Sequence, residues 1–466
     1  MSDFVQFIMN YLVRALFLAV PAAVAAAAGL FAAAAWWKKK RPNVKFPWLK
    51  AAVLILLAVF FAVLIFVTLI RGGHRSWRYA NLHLFRAWRE AWNAFSEKHW
   101  LNVLLNVAMF APLGILLPLL TEKIRKWYRM LAAGFGASLA IELLQYLLCR
   151  GLFDVDDLFC NTLGTMIGYW AVMAVLALGR KQWKKALPQL TALLAVGAAI
   201  GGIFLTYERQ EFGNFPESAP FRVDTSEVLW IYDCSFPEAE DSLPVYRLSQ
   251  PGKKECETIG RTFLEKVGVT DADVTYYNDE VYLRERNGNR ILEVFYLDGS
   301  ISYYDWNDYD MMTADGDEVS EEVLRQALAE LGITVPAEAA LTREEDGGYL
   351  FTADRITENN RITDGTLYCT WQSGYGFREL ENRLLTLEYA GSFPVCSSEQ
   401  ALEQVLDGWL RAGDYFERLQ PDTLEIVSCE LTYRTDTKGF HRPVYIFEIA
   451  SADGKFVDSV LIPAAE

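Results

Sequence analysis

Acidic and amide side chains interrupt several long apolar stretches between residues 100 and 180. A charged side chain at the centre of a bilayer costs roughly 2.5–3.5 kcal/mol, so such residues normally face the interior of a helical bundle and have a partner or a function. The candidate binding residues here, with one arginine that precedes them, are Arg86, Asn106, Glu142, Gln145, Arg150, Asp154, Asp156, Asp157 and Asn161. The sequence therefore predicts a functional site in this region.

These residue types suit three kinds of chemistry. The carboxylates are hard oxygen ligands for a divalent cation acting on a lipid phosphate or pyrophosphate, with Asp154 and Asp157 as the candidate metal ligands. Alternatively, Arg86 and Arg150 bind an anionic head group, and the acids orient the two arginines. In a purely structural interpretation, Asp154 or Asp156 caps the helix that follows, and Asp157 adds a favourable charge at its N-terminus. All three stay open; no catalytic residue is assigned and no cofactor is expected.

Glu142 is the residue that capping explains least. It shares a helical face with Gln145, and about 12 Å of helix separates it from Arg150 at the outer end. A carboxyl group at that depth is expected inside the membrane, where it needs another explanation.

Six apolar segments are long enough to cross a hydrocarbon core about 30 Å thick, which needs ~20 residues. They lie at roughly 15–37, 48–70, 101–120, 129–149, 156–179 and 187–206. The first ends in an alanine run that a signal peptidase accepts, but its positive charge follows the apolar run, so we predict an uncleaved helix. Pro112 and Gly114 predict a kink that opens a polar pocket, whereas Gly164 and Gly168 predict close helix contact.

Charge divides the chain into two halves. Residues 1–206 hold 22 Lys and Arg against 8 Asp and Glu, whereas residues 207–466 hold 22 against 51. Such asymmetry indicates a membrane half with basic flanks and an acidic, solvated half, and the acidic half repels nucleic acid. The basic connections 38–50, 123–129 and 180–185 are predicted to be cytoplasmic, which places both termini and the acidic half outside the cell membrane.

Residues 71–100 and the cysteines suggest structural roles. His74, His83 and His99 lie among tryptophans and arginines without the spacing of metal ligands, so we predict an interfacial amphipathic helix that shelters the site. Seven cysteines with no C-x-x-C pair predict neither a disulfide framework nor a zinc site, and we expect them to be small buried apolar residues.

The membrane half resembles the VanZ-like membrane proteins of bacteria. The resemblance covers roughly residues 50–180 and is carried by N-L-H-L-F-R from Asn81, by N-V-A-M-F-A-P-L-G from Asn106, by E-L-L-Q from Glu142, and by R-x-x-x-D-x-D-D-x-x-x-N-x-x-G from Arg150. Leu84 departs from the proline that family members often have there. The resemblance implies a bacterial cytoplasmic-membrane protein of the cell envelope, in a family whose namesake is associated with antibiotic resistance, namely reduced susceptibility to the glycopeptide teicoplanin. It does not supply a reaction.

The acidic half reads as three units of one helix followed by an antiparallel strand meander. Predicted helices lie near 253–267, 320–332 and 398–411, and Asn287-Gly288 and Asp298-Gly299 predict hairpin turns. The acid run from Asp305 to Glu318 lacks calcium-binding spacing and is predicted to be a solvated loop. This pattern resembles the extracytoplasmic binding domains of envelope regulators of the PepSY or YycI kind, which implies a possible envelope protein partner.

The sequence therefore predicts a six-helix polytopic bundle (1–206), a linker and entry segment (207–252) and an extracytoplasmic α+β domain of two or three repeats (253–466). Its partners are expected to be the lipid bilayer and an envelope lipid or glycopeptide ligand. The first functional hypothesis is non-enzymatic binding of a lipid-linked or lipoglycopeptide head group. The alternatives are a metal-assisted enzyme acting on an envelope lipid phosphate, and a membrane-anchored sensor or scaffold.

Overall fold

The computed structural model describes residues 27–40, 44–70, 80–232, 234–237, 241–248, 250–277, 279–307, 318–358 and 361–465. The chain forms two compact units, Met1–Glu211 and Phe212–Glu466, which we call the membrane unit and the sheet unit. The domain boundaries and the repeat predicted from the sequence stay predictions.

The membrane unit is built from long apolar helices. In chain order they are α1 (Trp48–Ile65, continued by a π-helical turn, Phe66–Ile70), α2 (Arg86–Ala94), α3 (Glu97–Leu120), α4 (Trp127–Leu147), α5 (Val155–Gly179) and α6 (Trp183–Arg209). Within the described residues five helices are long and apolar enough to cross a membrane: Trp48–Leu69, Glu97–Leu120, Trp127–Leu147, Val155–Gly179 and Trp183–Arg209. These correspond to the last five predicted spans.

The first predicted span, 15–37, lies mostly outside the described residues, although residues 27–40 are helical. The count of six spans therefore stays a prediction. The third span begins earlier than expected, at Glu97, because Ser96 is its N-cap and accepts a hydrogen bond from the His99 backbone nitrogen at 3.5 Å.

Helices α3 and α5 approach so closely that glycine is required at the crossing. An added Cβ at Gly164 would lie 1.8 Å from the Val107 carbonyl oxygen, and one at Gly168 would lie 2.0 Å from that of Ala111. The predicted close contact is confirmed. At the predicted kink, α3 continues through Pro112, and Gly114 packs against the α5 backbone. The polar pocket expected there stays a prediction.

The predicted interfacial helix corresponds to α2, which is strongly amphipathic and buries Ala91. The residues flanking α2, Phe85 and Phe95, both have positive φ, so the chain turns sharply at each end of the helix. Part of the prediction, including His74, lies outside the described residues.

The sheet unit contains a largely antiparallel, 13-stranded sheet. Its strands are β3 (Leu229–Tyr232), β4 (Ser242–Leu248), β5 (Ala272–Tyr276), β6 (Glu280–Glu285), β7 (Arg290–Phe295), β8 (Ile301–Asp305), β9 (Ala340–Arg343), β10 (Tyr349–Glu358), β11 (Arg361–Gln372), β12 (Gly376–Pro394), β13 (Thr423–Thr435), β14 (Phe440–Ser451) and β15 (Val457–Pro463). The main path runs β3-β13-β14-β4-β12-β8-β7-β6-β5, and β3 pairs with β13 in parallel. Strands β3 and β4 lie within the stretch predicted to be a linker.

Four helices cover the sheet: α7 (Lys253–Lys266), α8 (Glu321–Leu331), α9 (Ser398–Leu406) and α10 (Gly413–Leu419). One apolar core lies under α7 and α8, and a second lies under α9 and α10. The order of one helix followed by a strand meander is as expected, and both predicted hairpins form. The predicted third helix, 398–411, ends early at Leu406, and α10 begins beyond the predicted range at Gly413.

The prediction that the acidic run is a solvated loop is wrong for Asp305, which is buried. It lies at the end of β8, where its side chain is buried and its Oδ2 lies 3.0 Å from Nε of Arg290 and 3.7 Å from Nη1 of Arg378. Two guanidinium groups compensate the charge that would otherwise favour solvent. Residues 308–317 of that run lie outside the described residues, and Glu318 at its end is exposed, as expected of a solvated loop.

Candidate functional site

The polar residues gather at the end of the membrane unit where α4 and α6 end and α3 and α5 begin. A short parallel bridge pairs Ala80 with Phe153 and Asn81 with Asp154, which places the segment before α2 beside the segment before α5. We call the two strands β1 (Ala80–Asn81) and β2 (Phe153–Asp154). This bridge organises the site.

Asp154 and Asp156 are hydrogen-bond acceptors for two different helix starts. Asp154 is the N-cap of α5: its Oδ1 accepts from the Asp156 nitrogen at 2.8 Å and from Nδ2 of Asn81 at 3.1 Å. Asp156 uses both oxygens, which accept from the backbone nitrogens of Phe85 at 2.5 Å and Ala87 at 2.6 Å. Asp156 therefore fixes the first turn of α2 against α5. The capping interpretation accounts for Asp154, whereas Asp156 bonds to the start of a different helix from the one predicted.

Glu142 and Asp157 form the deeper part of the cluster. Glu142 is buried on α4, and its Oε2 accepts from the Asp154 nitrogen at 3.1 Å. Asn106 on α3 donates from Nδ2 to Oδ1 of Asp157. The carboxyl groups of Glu142, Asp154 and Asp157 are close enough to interact electrostatically. Polar side chains from three spans, α3, α4 and α5, therefore meet in one place.

Asn161 joins the cluster to the middle of the bundle. Its Nδ2 donates to Oγ of Ser138 on α4 at 3.0 Å, and its backbone carbonyl oxygen accepts from Oγ1 of Thr165 at 3.0 Å. All three residues are buried. Oδ1 of Asn161 has no hydrogen-bond partner within the described ranges, and such a buried acceptor is costly to leave unpaired.

The other predicted residues lie at the margin of this cluster. Gln145 faces α1, where its Nε2 donates to the Thr68 carbonyl oxygen at 3.3 Å. Arg150 is exposed beyond the end of α4. Arg86 lies on α2, and its Nε contacts Oε1 of Glu90 at 2.8 Å.

The metal interpretation gains no support from side-chain placement. In the part of the chain that the structure describes, no group of three or more His, Cys, Asp and Glu residues is placed to hold a metal ion. Asp154 and Asp157, the weak candidates, accept hydrogen bonds from protein nitrogens instead.

Sequence reasoning missed an apolar cavity of about 680 Å³ beside the acidic cluster. Aromatic residues of α2, α3 and α5 form one wall, and aliphatic residues of α6 form the other. The lining residues are Phe85, Trp88, Arg89, Trp92, Trp100, Phe159, Leu163, Val196, Ala199, Ile200, Gly202, Ile203 and Thr206. The only sequence signal was the cluster of tryptophans, which we interpreted as contacts with the membrane interface.

The cavity and the acidic cluster share a wall. Phe85, whose nitrogen donates to Asp156, packs edge-on against Phe159 with ring centroids 5.2 Å apart, and both rings line the cavity. Trp100 is buried at the same wall and contacts Trp88 edge-on at 6.1 Å. The Asp156 carboxylate therefore holds the backbone that positions the cavity wall.

Comparison with known proteins places this region in context. Residues 49–177 match the VanZ/LLP1 family model, a span that contains α1 through most of α5 and all the candidate site residues. No curated protein matches the chain. The membrane unit is thus VanZ-like over these residues, as the resemblance predicted.

Proposed function

We propose that the VanZ-like membrane unit binds an amphiphilic envelope molecule, a lipid-linked or lipoglycopeptide compound, without catalysing a reaction. The apolar part occupies the cavity between α2, α5 and α6, and the head group lies beside the acidic cluster. The observation that carries this proposal is the 680 Å³ cavity, which is lined by apolar and aromatic side chains and adjoins a buried polar network. Binding sites for small ligands commonly have this combination and volume.

The acids have a positioning role in this proposal. Asp156 orders Phe85 and Ala87, and Asp154 orders the start of α5, so both carboxylates shape the site from behind. Arg89 lines the cavity and is exposed, which suits a ligand with a phosphate or carboxylate group near its apolar chain.

Native mass spectrometry of the full-length protein in mild detergent tests the proposal. We expect a co-purifying amphiphile, and we expect Ala199→Trp to remove it because the larger side chain fills the cavity. The matched control is Leu194→Trp on the same helix, at a position that is 73% exposed and outside the cavity. Equal retention by the two variants, or no bound amphiphile in the wild type, would refute binding in the cavity.

An experiment in cells tests the same proposal by measuring glycopeptide susceptibility. We expect expression of the chain in a susceptible bacterium to reduce teicoplanin susceptibility, and Ala199→Trp to abolish that effect while Leu194→Trp retains it. If Glu142→Gln and Asp157→Asn both leave susceptibility and lipid binding unchanged, the deeper acids have no part in ligand binding.

A second candidate, a sensor or scaffold, is favoured by one observation in the sheet unit. A cavity of about 740 Å³ there is lined by Arg247, Arg361 and Lys438 and by one carboxylate, Glu388, which lies 3.1 Å from Arg361. The cations outnumber the carboxylate, although the acidic half carries a large excess of negative charge. Three cations in that setting suit an anionic partner from the envelope. Replacing the membrane unit with an unrelated span leaves function intact only if this candidate is correct.

A further inference from the structure

Two cysteines of the sheet unit, Cys429 on β13 and Cys234 just beyond the end of β3, pack against the same apolar core. In the parallel pairing of β3 with β13, Leu229 lies opposite Thr423 and Tyr232 lies opposite Ile426. Cys234 follows Tyr232 by two residues, and Cys429 follows Ile426 by three. The register between β13 and β14 shifts between Ile426 and Ser428, so β13 carries one extra residue at this point. Cys234 lies just beyond the end of β3, and continuing this register past its last pair, with the extra residue counted, would set Cys429 across from Cys234.

Both side chains point to the same face of the sheet. Leu424 and Ile426 are buried in the core under α9 and α10, and Trp230 packs against that core from β3. Cys234 and Cys429 pack against it as well, and each is half-buried. Neighbouring strands lie about 4.8 Å apart, which falls within the Cα separation of roughly 4.4–6.8 Å that a disulfide needs.

The two thiols also interact electrostatically. Burial, with a smaller contribution from the charge of Cys234, raises the pKa of Cys429 to about 12. Cys429 is therefore a poor first nucleophile, and the contribution from Cys234 disappears once that thiol has reacted.

We propose that Cys234 and Cys429 are a disulfide-forming pair that joins the segment just after the edge strand β3 to β13. The oxidant is a small or protein disulfide. The Cys234 thiolate attacks it, which breaks the oxidant's S–S bond, releases one oxidant thiol and forms a mixed disulfide. Cys429 then loses its proton and displaces the second oxidant thiol, which leaves one S–S bond between the strands.

The other cysteines of the sheet unit provide controls. Cys256 and Cys369 are fully buried in the core under α7 and α8, away from β3. Cys396 packs against the same core as the pair, but its sulfur contacts the Pro463 carbonyl oxygen at 3.8 Å, on the β15 side. This pairing is independent of the proposed lipid binding.

The experiment uses the full-length protein, reduced and then treated with oxidised glutathione. After denaturation and maleimide labelling, we expect two of the seven cysteines to be protected, and proteolysis followed by mass spectrometry to give one cross-linked peptide pair containing Cys234 and Cys429. Cys234→Ser and Cys429→Ser should each abolish the pair, whereas Cys396→Ser should retain it.

Two outcomes would overturn the proposal. One is labelling of both thiols after oxidation of the wild-type protein. The other is a cross-link from Cys234 to Cys396 in place of Cys429. Because the decisive measurement is made on the wild type, a variant that fails to fold does not obscure the result.

Discussion

The two units stabilise buried polar groups at very different sequence separations. In the membrane unit, Asp154 and Asp156 accept hydrogen bonds from backbone nitrogens in the first turns of α5 and α2. In the sheet unit, Asp436 is fully buried and accepts from the Gly213 nitrogen at 2.7 Å, while Nη2 of Arg442 donates to the Gly213 carbonyl oxygen at 2.8 Å. One network positions helix starts, whereas the other connects residues more than 200 positions apart.

This difference indicates which interactions contribute to the global stability of a unit and which act only locally. Arg442 lies 3.3 Å from Asp436, contacts the rings of Phe212 and Phe215, and donates to the Ala465 carbonyl oxygen. It therefore holds both ends of the sheet unit in one place. We expect its loss to destabilise the whole unit, and loss of a membrane-unit acid to act locally.

The largest expected effect comes from Arg442→Met, which leaves Asp436 buried without this guanidinium group. We expect the free energy of unfolding of the sheet unit to fall by about 3–5 kcal/mol. Chemical denaturation of the full-length protein, followed by circular dichroism of the sheet, measures it. Arg222→Ala is the control, because its ion pair with Asp407 is 55% and 61% exposed and is worth about 0–1 kcal/mol. Equal losses would contradict the comparison.

His441 makes the sheet unit sensitive to acid. Burial lowers the pKa of His441 to about 4 from 6.5. Above about pH 6.5 the residue is neutral in both the folded and unfolded states, so its contribution is fully present. As the pH falls toward about 4, only the unfolded state takes up the proton, and stability declines by up to about 3 kcal/mol. Unfolding measured across this range in the wild type and in His441→Gln should give a shallower slope for the variant; parallel slopes would disprove this role.

Gly164→Ala tests the close approach of α3 and α5. The new Cβ would meet the Val107 carbonyl oxygen, so the helices must separate, at a cost of about 1–3 kcal/mol. The thermal midpoint in detergent measures the loss. Gly136→Ala on α4 is the matched control, because nothing lies within 4 Å of its added Cβ and no loss is expected there.

Asp156→Asn should have the smallest effect, about 1 kcal/mol, because one of two accepting oxygens becomes a donor that faces a backbone N–H. We expect faster hydrogen exchange at Phe85 and Ala87 with little change in the global midpoint. Glu97→Gln, an exposed acid in the first turn of α3, should leave that exchange unchanged. A large loss of global stability in Asp156→Asn would contradict the expectation that acids of the membrane unit act locally.

The sequence reveals the membrane network because polar residues in apolar spans are conspicuous. Glu142, Asn106 and Asp157 stand out by type, and the cost of placing each of them alone in lipid predicts that they meet. Ser138 gives no such signal, since a hydroxyl is unremarkable in an apolar helix. The cavity was also missed, because the aromatic residues that line it are typical of a membrane interface.

In the sheet unit, the secondary structure could be predicted from the sequence, but the buried acidic residues could not. Its helices and hairpins follow from caps, alternation and turn residues, and they are largely as predicted. Asp436 and Asp305 could not be singled out, because in a strongly acidic half any aspartate is expected to be solvated. The pairing of β8 with β12, far apart in the chain, brings Asp305 to Arg378, whereas Asp436 contacts Arg442 across the turn between β13 and β14.

The glycine contacts between α3 and α5 have a mechanical consequence. Backbone carbonyl oxygens of α3 pack against Gly164 and Gly168 of α5. In the same way, the Thr165 carbonyl oxygen of α5 packs against Gly114 of α3. Sliding or rotating one helix along the other would drive Cβ atoms into backbone oxygens. We therefore expect α3 and α5 to move together as one rigid pair. If the cavity opens to admit the proposed ligand, we expect α2 or α6 to move relative to that pair.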